Sequence, residues 1–411
     1  RTRPASASHL AEESRLASVL VAGAGPAGAR LAIQLAHKGF SVTLADPLSS
    51  PLQQAFSSAA MPMAAALDLV IPESCWAARW SGWQLIDPDR LQHQWWSDDC
   101  LGVVLDFAAF RAQLWDQARD AGVELLLNTR VELSSLEPQA AEVRLAKANG
   151  LDEHRRVRWL IDATGASRAL LRAAGVRLES PDDPLLSGTG AEWLLQGDDR
   201  NAAPWMERLS FFLGRRWVQH GYGWIFPMDQ HRLKVGVCRL PPLGCSSRSR
   251  QGLGDALKQL LRECGLDNCA VLDRHGGTIS STIRRRQALG RGALIAIGDA
   301  ASTANLLGGE GIRHALVSAE CLAEALPALG GEHLRSLYEA ALHRRLGWRW
   351  PISGRLARRT WGLAPDCRSD RRMSRLIDGL SRHASAEDLS SLLFDYRFEG
   401  YGVRLLPYLL R

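Results

Sequence analysis

A glycine-rich turn near the start of the chain has the spacing that binds a nucleotide pyrophosphate. The apolar run Val19–Ala22 leads into Gly23, Gly25 and Gly28, which form the pattern G-x-G-x-x-G, and an apolar helical run follows. Gly23 allows a tight turn, Gly25 lets the backbone approach a phosphate, and Gly28 lets the helix pack against the strand. The phosphates would lie at the helix N-terminus, where free N–H groups and the helix dipole favour anions.

A second strand completes this unit. The run Val42–Ala45 ends at Asp46, which lies 18 residues beyond Gly28 and whose carboxylate can accept hydrogen bonds from a ribose. Strand, turn, helix, strand and acid together predict a dinucleotide-binding βαβ unit, and taken alone this unit fits an NAD enzyme as well as an FAD enzyme. Its predicted cofactor-binding residues are Gly23, Ala24, Gly25, Pro26, Ala27, Gly28 and Asp46.

The second motif is an apolar strand, Trp159–Asp162, that ends in the sequence D-A-T-G. A glycine at the carboxyl end of a strand can approach a ligand closely, and in doubly wound sheets ligands bind at that edge. Asp162 and Gly165 therefore join the predicted cofactor site. A simple turn at the end of a strand is the alternative interpretation.

The third motif follows the apolar run Ala293–Ile297 and consists of G-D-A-A-S and then N-L-L-G-G-E-G-I. A carboxylate directly after a buried strand can bind the hydroxyls of a polyol chain. A glycine-rich turn that opens a helix presents N–H groups to negative charge, such as the charge on the pyrimidine ring of reduced flavin. The predicted cofactor-binding residues here are Gly298, Asp299, Gly308, Gly309, Gly311 and Ile312.

Together these motifs resemble the FAD-dependent oxidoreductases of the para-hydroxybenzoate hydroxylase fold. Within that group the chain is most similar to the geranylgeranyl reductase family and its lycopene cyclase relatives, because Gly221–Pro227 and Val235–Val237 resemble the family's Y-x-W-x-F-P and G-x-G segment. The resemblance spans residues 18 to 326, with a weaker match at Phe394–Phe398. It implies an extended FAD with its AMP half on the first motif, its ribityl chain near Asp299 and its ring beside Gly308–Gly311.

Four positions depart from the family pattern. Cys238 replaces the second glycine of G-x-G, Leu306 replaces a proline, and Gly308 replaces a threonine. Phe107 stands where many relatives have an arginine at the start of a helix. Arg111 is the nearest cation on that helical face, and we expect it to contact a phosphate or the ribityl chain.

The resemblance implies that reduced FAD gives a hydride to a carbon–carbon double bond of an isoprenoid or another large apolar substrate. A lycopene cyclase-like enzyme and a monooxygenase acting on an apolar or aromatic substrate are alternatives on the same scaffold, and a non-catalytic flavin-binding module is a third. The Y-x-W-x-F-P match favours the reductase, and no acidic cyclase motif is present. NAD(P)H and ferredoxin both remain open as the external reductant.

The sequence contains no evident acid–base dyad, triad or metal-ligand spacing, so we expect the chemistry to be carried by the flavin. We interpret four single histidines as surface or interior residues without a catalytic role: His220, His231, His275 and His314. The eight cysteines lack metal-ligand spacing, which predicts free thiols in a reducing cytoplasm.

The predicted substrate cavity rests on one strand. Side chains alternate between the faces of a strand, so Tyr222, Trp224 and Phe226 share one face. That face either lines a cavity over the flavin or packs against the chain's own helices. The fourteen tryptophans suit a protein that takes up an apolar substrate or touches lipid headgroups.

Composition limits the classes of partner. The formal charge of +6 includes no basic block with interleaved aromatics, which argues against nucleic acid, and no apolar run is long enough to span a membrane. We expect a cytoplasmic protein that associates with a membrane surface through arginines near the C-terminus, while its oligomeric state stays open. These are Arg355, Arg358, Arg359, Arg371 and Arg372. The sequence opens at Arg1 rather than Met, from which we expect that residues are missing there.

The pattern of elements predicts an α/β protein with a Rossmann-like FAD-binding domain, an inserted antiparallel-sheet substrate domain and a helical C-terminal region. The predicted strands include 123–127, 142–146, 156–160 and 293–297, and the predicted helices include 107–121, 252–264 and 312–326. The predicted divisions are a flexible tail at 1–17, FAD-binding segments at 18–184 and 246–326, the substrate domain at 185–245 and the helical region at 327–411. Residues 47–104 are expected to be irregular connections with short helices.

Overall fold

The structure is a computed structural model that describes residues 18–55, 57–177, 180, 182–241, 252–328, 332–362, 366–399 and 401. The predicted tail at 1–17 lies outside the described residues. The strands are β1 (Ser18–Ala22), β2 (Ser41–Ala45), β3 (Ala60–Pro62), β4 (Trp76–Trp80), β5 (Gly82–Ile86), β6 (Gln92–Trp96), β7 (Gly102–Leu105), β8 (Glu124–Leu126), β9 (Thr129–Leu136), β10 (Ala141–Lys147), β11 (Glu153–Val157), β12 (Trp159–Asp162), β13 (Leu186–Gln196), β14 (Arg208–Leu213), β15 (Gly221–Pro227), β16 (Arg232–Arg239), β17 (Ala270–Ser281), β18 (Gly290–Arg291) and β19 (Leu294–Ala296).

The helices alternate with these strands in the first part of the chain and dominate its end. They are α1 (Pro26–His37), α2 (Met63–Asp68), α3 (Phe107–Asp120), α4 (Ala169–Ala173), α5 (Asp199–Ala202), α6 (Leu253–Glu263), α7 (Ile312–Ala325), α8 (Glu332–Leu346), α9 (Trp350–Trp361), α10 (Cys367–His383) and α11 (Ala386–Leu393). The helical C-terminal region is thus present. Within the described residues, no helix is both long and apolar enough to cross a membrane.

A six-stranded sheet forms the centre of the first domain, in the order β18-β19-β12-β1-β2-β8. Strands β19, β12, β1, β2 and β8 pair in parallel, and β18 is antiparallel to β19. Their near-continuous apolar runs suit a sheet that is covered on both faces. Because the strands are parallel, the carboxyl ends of β1, β12 and β19 bring Gly23, Ala163 and Gly298 to one edge, as the sequence predicted.

Between β8 and β12 the chain forms a separate three-stranded antiparallel sheet, in the order β11-β10-β9. The predicted strand at 142–146 lies within β10, but the predicted strand at 156–160 is divided at Arg158. At Arg158 the chain leaves the three-stranded sheet. The backbone N–H of this residue donates to Ser18 Oγ at 3.1 Å, beside the start of β1. Residues on the two sides of Arg158 therefore belong to different sheets.

The second domain is a seven-stranded sheet in the order β17-β13-β16-β15-β14-β5-β6. The predicted insertion at 185–245 contains its four middle strands, β13 to β16. The sheet is mixed rather than purely antiparallel, since β14 pairs with β5 in parallel.

The sheet also extends beyond both predicted boundaries. Strand β17 pairs with β13 along its length, and α6 buries Leu257 and Leu260 in the same cluster as Val235. Residues 253–281 therefore belong with the substrate sheet, although the sequence analysis assigned them to the FAD-binding domain. The prediction followed the order of segments along the chain, whereas the pairing of β13 with β17 joins residues that are far apart in the sequence.

The segment at 47–104 is more regular than its five prolines suggested. Strands β5 and β6 form the end of the substrate sheet, while β3, β7 and β4 form a small sheet of their own. Pro62 ends β3 and leads directly into α2, so this proline lies at a strand end, where a missing N–H costs little. The other strands pair mostly with one another, and β5 also pairs with β14 from a distant part of the chain.

We predict that Gly28→Ala will disrupt the first domain, because a Cβ at residue 28 would lie 1.9 Å from the carbonyl oxygen of Gly23. The matched control is Gly254→Ala, also within a helix, where nothing lies within 4 Å of the added Cβ. Gly254→Ala should be neutral or stabilise the protein by up to about 1 kcal/mol. Thermal unfolding of both variants provides the test, and equal melting temperatures would contradict the prediction.

Candidate active site

A cavity of about 360 Å³ lies where the carboxyl edge of the first sheet meets the second sheet. Residues from all of the predicted motifs line it. From the first domain these are Gly25, Pro26, Ala27, Gly165, Gly298, Asp299, Gly308, Gly309, Gly311 and Ile312, and from the second sheet they are Tyr222, Trp224 and Phe226. The fold therefore brings together segments that are nearly 300 residues apart in the sequence.

The glycine-rich turn is held rigidly and leaves space on its cavity side. Gly23 has a φ of +106°, and a Cβ there would lie 2.4 Å from the carbonyl oxygen of Ala163. Trp115 Nε1 donates to the carbonyl of Ala24 at 2.8 Å. A Cβ on Gly25 would meet nothing within 4 Å, so the structure leaves room there for a phosphate at the start of α1.

Asp46 lies beside this turn and is buried. Its carboxylate accepts hydrogen bonds from the backbone N–H of Ala24 at 2.6 Å and of Leu48 at 2.9 Å. Asp46 and Ala24 are not among the residues that line the cavity. The observed contacts fix the end of β2 against the turn, and binding of a ribose by Asp46 stays a prediction.

Asp162 has a different role from the one that the sequence suggested. Its side chain is fully buried and does not line the cavity. It accepts hydrogen bonds from the backbone N–H and the hydroxyl of Thr164 and from the N–H groups of Leu170 and Leu171. Asp162 thus caps the short helix α4 and shapes the turn that carries Gly165.

Arg111 also differs from its expected role. Its buried guanidinium donates to the carbonyls of Pro51 and Gln53 and does not line the cavity. Burial lowers the pKa of Arg111, although Asp46 acts in the opposite direction. The side chain ties the 51–53 loop to α3, and Phe107, one turn earlier, lines the cavity instead.

Asp299 is the strongest candidate for a contact with a polyol. It lies at the cavity wall after β19, and its Oδ1 atom is buried without a hydrogen-bond partner. Burial raises the pKa of Asp299 to about 6, against the influence of Arg168, which lowers it. A buried acceptor of this kind fits a hydroxyl donor such as that of a ribityl chain, because an unsatisfied buried polar atom is costly.

The turn at Gly308–Gly311 forms the other wall. Gly309 has a φ of +69°, and a Cβ there would lie 2.4 Å from Tyr222 Oη, so only glycine fits against the substrate sheet. Asn305 and Glu310 exchange two backbone hydrogen bonds, which close the loop before α7 begins. The turn therefore offers backbone, rather than side chains, to a ligand in the cavity.

A buried polar cluster fixes this turn to the C-terminal segment. Glu310 pairs with Arg313 at 2.6 Å, and Tyr396 Oη lies 2.9 Å from His314 Nε2 and donates to Glu310 at 3.1 Å. Burial alone would raise the pKa of Glu310, but Arg313 and His314 outweigh burial and hold it at about 2. This contact gives a structural reason for the weak sequence match near Phe394–Phe398.

The shared face of β15 lies on the cavity. Of the two orientations that the sequence left open, the structure places Tyr222, Trp224 and Phe226 in the cavity lining. Cys238, which departs from the family pattern, lines the cavity on the neighbouring strand, and burial raises the pKa of its thiol to about 12. A neutral thiol at that point narrows the space without adding charge.

Glu192 and His275 are cavity residues that the sequence analysis missed as a pair. They lie directly opposite each other on β13 and β17, and Glu192 Oε1 is 2.9 Å from His275 Nε2. From the sequence we interpret His275 as a single histidine without a catalytic role, whereas the structure places it beside Glu192 in the cavity lining. Only the cross-strand register could have revealed the pair, since the two residues are 83 positions apart.

The other three histidines lie away from the cavity lining. His314 belongs to the buried polar cluster, His231 pairs with Asp199 at 3.0 Å on the surface, and His220 begins the turn before β15. No group of three or more His, Cys, Asp and Glu side chains within the described ranges could hold a metal ion.

A second, more apolar cavity of about 310 Å³ adjoins the first. Phe211, Tyr222 and Gly308 line both cavities. The wall of the second cavity is completed by side chains from β5 and from the C-terminal helices α9, α10 and α11, including Trp83, Leu356, Trp361, Met373, Leu376, Leu389 and Phe394.

No family model matches the chain, but curated proteins are similar to it. It is 26% identical over 314 residues to the digeranylgeranylglycerophospholipid reductase of Methanosphaerula palustris, with 74% of this chain and 75% of the relative covered. It is 27% identical over 371 residues to the menaquinone reductase of Mycobacterium tuberculosis, with 83% of each chain covered.

The chain is an FAD-dependent oxidoreductase that is similar to the geranylgeranyl-type reductases.

Solved structures confirm the fold of this flavoprotein. A geranylgeranyl bacteriochlorophyll reductase-like protein from Thermoplasma acidophilum matches with a TM-score of 0.77 at 19% identity, covering 95% of this chain and 98% of that protein. The p-nitrophenol 4-monooxygenase of Pseudomonas putida DLL-E4 matches with a TM-score of 0.69 at 19% identity, covering 92% and 97%. The relatives and structural neighbours together identify an FAD-dependent oxidoreductase on a scaffold that reductases share with monooxygenases.

We predict opposite effects for two buried aspartates in the flavin-free protein. The raised pKa of Asp299 means that wild-type stability falls as pH rises from about 4 to about 6, since the unfolded carboxyl loses its proton first. Asp299→Asn should remove this loss and stabilise the protein at pH 7 by up to about 3 kcal/mol, while weakening FAD binding about tenfold or more. Urea unfolding across pH and flavin fluorescence titration measure both effects.

Asp162→Asn is the matched control. This variant should destabilise the protein at every pH between 4 and 8, by about 1–3 kcal/mol, because one of the capping acceptors becomes a donor. Unchanged FAD affinity in Asp299→Asn would exclude the ribityl contact.

Proposed function

We propose that this flavoprotein reduces carbon–carbon double bonds of a long polyprenyl substrate, using FAD as its cofactor. The observation that carries the proposal is the position of two neighbouring cavities that share Phe211, Tyr222 and Gly308 in their walls. The first contains the surfaces that fit a flavin, and the second lies next to it as an apolar space lined by aromatic and aliphatic side chains. The relatives are named for reductions of a digeranylgeranyl glycerophospholipid and of menaquinone, which both carry polyprenyl chains.

The residues present fit FAD along one wall of the first cavity. The turn at Gly23–Gly28 would hold the pyrophosphate, Asp46 the ribose, Asp299 the ribityl chain and Gly308–Gly311 the edge of the ring. Bound and reduced, the cofactor would supply a hydride to a carbon of the substrate. The protein's own part is to exclude water, orient the alkene and keep the ring next to the substrate.

The second cavity has the chemistry of a site for an apolar chain. Trp83, Trp361 and Phe394 contribute ring faces, and leucines of α9 to α11 contribute the rest of its wall. Transfer of each CH₂ group from water into such a space contributes about 0.8 kcal/mol. A prenyl chain of several isoprene units could therefore be held by burial alone, with its reacting double bond at the Tyr222 end.

A basic recess behind α9 supports approach to an anionic surface. Arg355 and Arg358 line this recess of about 290 Å³ together with Arg284, while Leu356 on the opposite side of the same helix lines the apolar cavity. The carboxylate of Asp183, also in the recess, accepts the N–H groups of Arg284 and Arg286. We place anionic headgroups at this recess and the prenyl chain in the cavity behind it. NAD(P)H and ferredoxin are the two candidates for the external reductant.

Anaerobic turnover tests the reaction and the path of the chain. Holoenzyme reduced with dithionite should be reoxidised without oxygen by geranylgeranyl diphosphate, with formation of a product two hydrogens heavier. Leu376→Trp should narrow the second cavity and raise KM for geranylgeranyl diphosphate about tenfold or more, a loss of about 1.4 kcal/mol of binding, while the shorter geranyl diphosphate is less affected. Leu337→Trp, on the half-exposed face of α8, is the control and should leave both values unchanged.

Reoxidation that requires oxygen and yields an oxygenated product would replace the reductase with a monooxygenase. A redox-neutral product with a new ring would indicate a cyclase.

Liposome flotation tests the membrane surface. The protein should float with phosphatidylglycerol vesicles and not with phosphatidylcholine vesicles. Arg355→Glu/Arg358→Glu should weaken this binding by about 30-fold or more, since each basic residue near an anionic surface contributes about 1 kcal/mol and each new carboxylate is repelled. The charge-matched control, Arg79→Glu/Arg119→Glu, changes exposed arginines outside the recess and should bind as wild type does. Equal losses in the two double variants would point to net charge rather than to this recess.

A further inference from the structure

Reduction of an isolated double bond requires more than a hydride. An alkene without a neighbouring carbonyl has no group to accept its electron pair, so a proton must arrive at the carbon that does not receive the hydride. A side chain in the wall of the cavity can deliver this proton directly to that carbon. The cavity lining holds few groups that could exchange a proton.

One chain of polar groups connects the cavity to solvent. Glu192 lines the cavity with only 5% of its side chain exposed, and its Oε1 is 2.9 Å from His275 Nε2. On the other side of the imidazole, Nδ1 lies 3.4 Å from a carboxylate oxygen of Asp273, whose side chain is 55% exposed. The imidazole thus bridges one buried carboxyl and one exposed carboxyl, an arrangement that suits proton transfer through its two nitrogens.

The buried carboxyl is also held in a fixed orientation. Trp224 Nε1 donates to Glu192 Oε2 at 2.8 Å, so both oxygens of Glu192 are engaged. Trp224 is itself packed over Gly236, where a Cβ would lie 2.1 Å from the indole ring. The side chain of Lys234, on the strand between β13 and β15, is the nearby cation and donates to the carbonyls of Ser57 and Leu105.

We propose that Glu192 donates the proton that saturates the double bond and that His275 and Asp273 return a proton to it from solvent. This inference rests on the proposed reductase function. The π electron pair of the alkene forms the new C–H bond with the proton of the Glu192 carboxyl. The adjacent carbon would receive the hydride that reduced FAD supplies. As Nδ1 takes a proton from solvent water beside Asp273, Nε2 gives its proton to the Glu192 carboxylate, so the imidazole ends neutral.

This arrangement assigns separate roles to the three side chains. Glu192 is the catalytic residue, His275 conducts the proton, and Asp273 orients the imidazole at the solvent end. Trp224 is a positioning residue, because it acts on the reaction through Glu192. The pair His231 and Asp199 offers a matched control, since it has a similar distance of 3.0 Å but lies on the surface, outside the cavity.

The first test measures reoxidation of dithionite-reduced holoenzyme by geranylgeranyl diphosphate in an anaerobic stopped flow. Glu192→Gln should slow this step about 100-fold or more, the usual contribution of a general acid, with KM and FAD affinity little changed. His275→Gly should be slowed similarly, and added imidazole should restore part of its rate. His231→Gln should react as wild type does. Wild-type rates in Glu192→Gln, or no rescue of His275→Gly by imidazole, would overturn the relay.

The second test does not depend on turnover. In holoenzyme with ¹⁵N-labelled histidine, NMR at one fixed pH should show that Glu192→Gln changes the ring-nitrogen resonances of His275, because the group that faces Nε2 at 2.9 Å is altered. Asp273 and Lys234 are present in both proteins, so their electrostatic effect on His275 is the same in each. The resonance of His231 should not change. Unchanged ring-nitrogen resonances of His275 would exclude the coupling on which the relay depends.

The two tests separate the relay from the proposed function. If wild-type reduced enzyme reacts with no polyprenyl probe, the reductase function fails, whatever the NMR result. If the wild type reacts and the Glu192 and His275 variants react equally well, the function stands and the relay fails. Trp224→Phe provides a further check, because it keeps the ring but removes the donor to Glu192, and it should slow the proton-dependent step without lowering FAD affinity.

Discussion

The close approach of two backbones at the edge of the central sheet is the constraint on which the rest of the site depends. Gly23 passes so near the carbonyl of Ala163 that a side chain would collide with it, and Gly28 passes as close to Gly23. Asp162 stabilises the second of these segments by accepting hydrogen bonds from the start of α4. Because β1, β12 and β19 are parallel neighbours, the start of α1 and Asp299 line the same cavity at the carboxyl ends of these strands.

A second set of contacts joins this edge to the substrate sheet. Tyr222 packs against Gly309, and the buried ammonium of Lys234 donates to two carbonyls of the first domain. Burial lowers the pKa of Lys234, partly offset by Glu192 and Asp106. A buried cation is tolerated only where its donors are satisfied, so these bonds hold β16 and its neighbours at a defined distance from the flavin wall. The cluster of Glu310, His314 and Tyr396 then fastens the C-terminal segment onto the same loop.

The cavity contains two buried carboxyls that differ in whether their oxygens have hydrogen-bond partners. Glu192 has a partner at each oxygen, whereas Asp299 has an oxygen without one. In a low-dielectric site the unsatisfied group destabilises the ligand-free protein and gains most from a hydroxyl donor. Glu192 is already held by its two partners and can exchange a proton through His275. Burial thus makes Asp299 a candidate ligand-binding group at one wall and Glu192 a candidate proton donor at the other.

The sequence by itself determined the first βαβ unit and the flavin motifs, because these rest on short segments whose periodicity and glycine spacing are local properties. It also predicted which side chains of β15 share a face. It did not determine that Asp162 and Arg111 turn away from the cavity, because that depends on which backbone groups lie nearest in space. Nor could it assign β5, β6 and β17 to the substrate sheet or pair Glu192 with His275, because cross-strand register between distant segments is fixed only when the whole sheet packs against its core.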